Sequence, residues 1–234
     1  MSNSKHINYA TSTDVTNAIE TRRSLRAFLS KPIEDSLIKS ILQKAARAPS
    51  GTNMQPWQVY VLKGESRKRV CNSVCHTFDH EPEKHSSEKR YYPKQWFEPF
   101  VSRRRKVGWD LYGLLGIEKG DKTKMKKQHR RNFQFFDAPV GLLFTIHRDL
   151  ETGSWLDYGM FLQNIMLLAR EAGLHTCPQA AWADYHRVIR DALPLSNEET
   201  VVCGMALGYA DPEYIENSLV TERVDPKLFT TFLS

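Results

Sequence analysis

The chain lacks any apolar run of the ~18–20 residues needed to span a bilayer. Its longest candidate, Trp155 to Ala169, is interrupted by Asp157, Gln163 and Asn164. The N-terminus, Met1 to Thr16, has no apolar stretch of the secretory type and reads as a frayed lead-in. Cysteine is scarce. Four (Cys71, Cys75, Cys177, Cys203) in 234 residues do not make a disulfide scaffold. No repeat of fixed period and no low-complexity tract is visible. There is no GxGxxG fingerprint. No Ser–His–Asp or Cys–His arrangement has a persuasive context either. What remains is one globular domain, 1–234, in a reducing compartment, with the cytoplasm as the expected location.

Acidic residues are also in short supply, 27 against 33 Lys and Arg, giving +6. The excess is local. Residues 84–131 hold 15 basic and five acidic side chains, so that segment carries +10 and the remainder −4. Tyr91, Tyr92, Trp96, Phe97, Phe100, Trp109 and Tyr112 are interleaved with the cations. Cations with aromatics describe a single-stranded nucleic-acid surface, the remote alternative. The plainer reading is a solvated helical face.

The hydrophobic pattern alternates helices and strands. Asp14 suits the N-cap of a helix at 15–21. Leu37, Ile38, Ile41, Leu42 and Ala45 give the second helix one buried face. Residues 57–62, 139–146 and 200–207 read as strands. Helices are expected at 65–76, 154–172 and 184–192, with 77–98 irregular and 99–131 helical. The 154–172 helix is apolar nearly all round, which implies burial on several sides. Gly173 fits its C-terminal cap. Residues 213–234 form a tail with few core signals. The class is α+β: a mixed or antiparallel sheet of about 4–5 strands wrapped by helices.

Two stretches are dense in groups that bind ligands. Arg22-Arg23-Ser24-Leu25-Arg26 packs three guanidinium groups and a hydroxyl into five residues. That suits a bound phosphate, and it equally suits a solvated helix C-terminus. Ala48-Pro49-Ser50-Gly51-Thr52-Asn53-Met54-Gln55-Pro56-Trp57 follows a helix and precedes a strand. Asn53 and Gln55 offer amides that match a heterocycle edge or satisfy their own loop. Spacing alone does not separate these readings. Cys71 and Cys75, with His76, His80 and His85 nearby, match no standard zinc spacing and read as core, so no metal is expected.

Taken together, these stretches resemble the N-terminal signature of the FMN-dependent nitroreductase superfamily, RRSxRxF followed by APSxxNxQPW. Trp155-Leu156-Asp157-Tyr158-Gly159 with Gln163-Asn164 resembles its long central helix. Cys203 to Tyr209 resembles its last core strand, and Asn217 to Arg223 its C-terminal basic motif. The likeness covers roughly residues 14–232 and is greatest to bacterial nitroaromatic, nitrobenzoate-type reductases.

The resemblance implies a nitroreductase-like fold and an intertwined homodimer with FMN at the subunit interface. It implies FMN phosphate and ribityl contacts from Arg22, Arg23, Ser24, Arg26 and Arg223. Pro49, Ser50, Asn53 and Gln55 match positions near the ribityl chain and the isoalloxazine edge. Pro178, Gln179 and Ala180 would pass over the flavin with their backbone. Some relatives carry Glu-Gly where Ala180-Ala181 stand here, so a side-chain role there is not implied. No catalytic side chain is implied, because the flavin N5 carries the chemistry. NAD(P)H would be the hydride donor and a nitroaromatic the acceptor, in alternating turns. Halogenated aromatics, quinones, enones or free flavin are alternative acceptors on the same scaffold. The basic segment, at about 77–135, would be an insertion covering the active site. No nucleic-acid or membrane partner is expected.

Overall fold

Asp14 opens the first helix, α1 (Val15–Thr21), by accepting the Asn17 N–H at 2.8 Å. The computed structural model describes residues 9–233. In chain order α2 (Asp35–Ala45), β1 (Gln58–Leu62), α3 (Gly64–His80), α4 (Phe100–Leu114) and α5 (Lys122–Arg130) follow. Then come β2 (Val140–His147), α6 (Thr152–Glu171), β3 (His175–Gln179), α7 (His186–Ala192) and β4 (Glu199–Gly208). The strands form one sheet in the order β1-β2-β4-β3, with every pairing antiparallel. This is the expected α+β class, at the lower end of the expected strand count.

Alternation along the strands sends side chains to two cores. Leu142 and Phe144 of β2, with Cys203 and Met205 of β4, pack under α2 and α6. Leu143 and Ala206 face the other way, toward α3 and α7. On that second face the sheet is notched by glycine. A Cβ on Gly204 would stand 2.3 Å from the Trp182 ring, and one on Gly141 2.3 Å from Phe135. The two rings stack on each other at 4.3 Å, so backbone and aromatic pair interlock. Cys71 and Cys75 lie in this core, where burial pushes their thiols up to about 12 and about 11.

Several expectations change. β3 (His-Thr-Cys-Pro-Gln) was not expected as a strand. It has no β-branched run and contains Pro178, which an edge position tolerates. The helical stretch expected over 99–131 is two helices. Gly116 and Gly120, at φ +61° and +96°, turn the chain between them, and Asp121 caps α5. α3 runs on to His80, four residues past its expected end.

α6 buries one face (Ser154, Tyr158, Phe161, Ile165, Ala169), while Leu156 and Met160 on the other side are exposed. Within one chain it is therefore not buried on several sides. Its C-terminus closes as expected on Gly173 at φ +71°, with Gly173 N–H bonding Arg170 O and Leu174 N–H bonding Ala169 O. Residues 1–8 of the lead-in lie outside the described residues. Its described part is docked, with Ser12 buried and its N–H bonded to Arg170 O. The start of the expected tail is docked too, through polar rather than apolar side chains: Glu216 and Asn217 are buried.

Candidate functional site

The predicted site residues fall in four places. The first is outside β3, where residues 22–28 run extended and Ser24 bridges Thr176. Side chains two apart on an extended segment share a side. Arg22 and Arg26 both act electrostatically on Cys177 of β3. Arg223, from the far end of the chain, joins them. Burial, and then the Arg223 charge, lower the pKa of the Arg22 guanidinium. Among the described residues none of these three arginines has a carboxylate partner. Like charges gathered without an acid are the chemistry of an anion site, and the phosphate of FMN fits it. Burial raises the Cys177 pKa against both arginines, so the thiol stays protonated.

Arg23 stands on the opposite side of the same segment. Its charge acts on Tyr9, Arg170 and His175. Its Nη1 is buried and has no hydrogen bond among the described residues. The structure therefore does not bring Arg23 to the cluster of Arg22, Arg26 and Arg223.

The third place is a cavity of about 950 Å³. Pro178, Gln179 and Ala180 form one wall, so β3 carries both the face toward the arginines and the cavity edge. Ser87, residues 89–94 and Arg104 of the basic segment also line it, as do Trp155 and Val202. Gln179 is buried and its Nε2 donates to Asn132 O at 2.6 Å, tying that wall to the end of the basic segment.

Much of that segment's charge is spent locally. Lys84 pairs with Glu81, Lys124 with Asp121 and Arg130 with Asp79. Arg131 pairs with the buried Glu216. Phe135, Phe136 and Asp137, where the segment rejoins the fold, hold φ of +51°, +51° and +67°. Non-glycine residues there store strain, which the buried rings of Phe135 and Phe136 hold in place.

The fourth place is the loop Pro49–Gln55, which leads into β1 at the other edge of the sheet. Three spacings separate β1 from β3, about 14 Å. The loop is exposed except for the half-buried Ser50, and Thr52, Asn53 and Gln55 hold φ of +48°, +61° and +49°. Ser50 Oγ accepts the Gln55 N–H at 3.0 Å and Asp157 of α6 accepts the Gly51 N–H at 3.0 Å. A loop this strained and this exposed is built to present its edges. It does not line the cavity, nor does it reach the arginine cluster of its own chain.

One residue has a role that the sequence did not assign, although it opens the C-terminal basic motif. Asn217, fully buried, accepts the Arg26 N–H at 2.8 Å and donates to Ala27 O and Asp211 O, each at 2.9 Å. It clamps the first motif to the C-terminal segment. Its signal was an amide in a region with few core residues, which local patterning cannot rank.

A model of the nitroreductase family matches residues 19–209. The chain is 40% identical to the nitrobenzene nitroreductase of Ectopseudomonas oleovorans over 95% of this chain and 98% of that one. It is 41% identical to the 4-nitrobenzoate reductase of Pseudomonas putida over 92% and 93%. Among solved structures, the FMN and NADPH-dependent nitroreductase NfnB from sphigopyxis sp. strain HMH superposes with a TM-score of 0.91. It is 37% identical, over 94% of this chain and 99% of that one. The FMN-dependent NfnB from Mycobacterium smegmatis, in complex with NADPH, gives 0.88 at 26% identity, over 94% and 100%.

Proposed function

The chain belongs to the nitroreductase family, and on that premise we propose that it is an FMN-dependent, NAD(P)H-consuming reductase of nitroaromatic compounds. The carrying observation is the meeting of Arg22 and Arg223, from opposite ends of the sequence, without a counter-charge and one residue along β3 from the cavity. FMN, when bound, supplies hydride transfer between the reduced nicotinamide and the substrate. This chain's residues do the rest. Arg22, Arg26 and Arg223, with the Ser24 hydroxyl, hold the phosphate end. The backbone of Pro178, Gln179 and Ala180 borders the flavin ring. Trp155 and Tyr92 give the cavity aromatic walls for an arene, and the basic segment closes it from water.

The site is shared by two chains of a homodimer. The loop with Pro49, Ser50, Asn53 and Gln55 serves the partner's flavin, because the sheet's width keeps it from its own. The exposed Leu156 and Met160 of α6 are the apolar surface that the second copy covers. Four buried, unpaired cysteines suit the cytoplasm. Among the described residues no helix is long and apolar enough to cross a membrane.

Purified protein is expected to be yellow and to release FMN on heating. Arg22→Gln and Arg223→Gln should each weaken FMN binding by ~1.5–3 kcal/mol, about 10- to 150-fold, in a fluorescence titration of the apoprotein. Colourless protein that takes up no FMN would sink the reading. Unchanged affinity in both variants would remove these arginines from it.

A further inference from the structure

The cavity carries three cations that the protein leaves without acids. Lys89 on its wall pairs with Glu151 at 3.7 Å; Asp184, also on the lining, accepts the Ser87 N–H at 3.0 Å and has no ion-pair partner among the described residues, so the lining's lysines and arginines outnumber its acids by four to two. Arg90, Lys94 and Arg104 have no ion-pair partner among the described residues. Neighbouring acids are engaged elsewhere. Glu88 holds Arg148 at 3.3 Å and His186 at 3.6 Å, and Glu98 accepts the Ser102 hydroxyl at 2.8 Å.

Arg104 lies over the Trp96 ring at 4.8 Å, and Trp96 packs on Tyr92 at 5.1 Å. A guanidinium stacked on a ring is fixed in its plane and keeps its edge donors free. That edge matches a carboxylate in a two-pronged contact. Cations beside aromatic walls suit a ligand that is itself an arene with an anionic substituent.

We propose that Arg90, Lys94 and Arg104 form an anion-recognising wall that makes the cavity selective for nitroaromatics bearing a carboxylate over neutral ones. The proposal rests on the nitroaromatic-reductase reading above and adds the substrate class. A phosphate on the nicotinamide offers the same chemistry, so the test separates the two.

Flavin-loaded protein would be titrated calorimetrically with 4-nitrobenzoate and with its neutral methyl ester. Reduction of both would be followed with NADPH and with NADH. The wild type should bind the acid about tenfold more tightly than the ester, as one charge-assisted contact would give. The gap should shrink toward unity in Arg104→Gln and in the Arg90→Gln/Lys94→Gln pair, and in high salt, while ester binding holds. Equal affinities in the wild type, or a gap that survives the substitutions, would overturn the wall. A change confined to the NADPH-to-NADH ratio would assign the cations to the co-substrate and overturn the substrate claim. If the acid binds through these cations but neither compound is reduced, the wall stands and the reductase reading fails.

Discussion

At the scale of single residues, burial decides how charge behaves. His175 is enclosed beside Arg170, whose Nη1 lies 3.0 Å from its Nε2. Burial first, and the Arg170 charge second, lower its pKa from 6.5 to about 4. The folded state therefore binds fewer protons than the unfolded chain between those values. The stability this gives is fully present above pH 6.5 and is lost as pH falls toward 4, at most roughly 3 kcal/mol in all. Urea melts at pH 7 and pH 4.5 should show His175→Phe much less acid-sensitive than the wild type. An equal loss in both would show that other groups dominate. The arginines of the first motif illustrate what residue patterning holds and what it omits. Three guanidiniums in five residues were visible as a cluster. That Arg23 faces away from Arg22 and Arg26 follows from the extended backbone, which the residue pattern alone does not reveal.

At the scale of elements, helices with one apolar stripe were legible because a 3.6-residue period needs no outside partner to be recognised. α2 and the cap of α6 are cases in point. β3 was not legible, because it is defined by its neighbours: β4 on one side and the Ser24 bridge on the other. The interlock of Trp182 with Gly204 is likewise non-local and fixes how the 180–185 turn sits against the sheet. Gly204→Ala should be destabilising by ~1–3 kcal/mol or more, because a fully buried ring has nowhere to move. Gly108→Ala, in open space on α4, should be neutral or stabilising by ~0.5–1 kcal/mol. Urea midpoints at constant slope would show both. A harmless Gly204→Ala would mean the ring is not held as described.

At the scale of the whole molecule, the two predicted motifs lie at opposite edges of one sheet. Only their resemblance to a family suggested that they serve one ligand. The local sequence contains no measure of sheet width, so spacing left the question open. In the dimer proposed above a second chain would bridge the separation, and α6 is where it should dock. Leu156→Glu with Met160→Glu should give a monomer in sedimentation equilibrium, with FMN retention reduced as well. A dimer that persists with full FMN would place the interface elsewhere.

The Asn217 clamp has a consequence for biosynthesis. Its hydrogen bonds to Arg26 and Ala27 span 191 and 190 residues. The arginine segment emerges from the ribosome long before its anchor does. Contacts of such long sequence separation form late in folding. The proposed phosphate end of the site would thus be fixed only once Asn217 has been made, and a product truncated before Asn217 should fail to retain flavin.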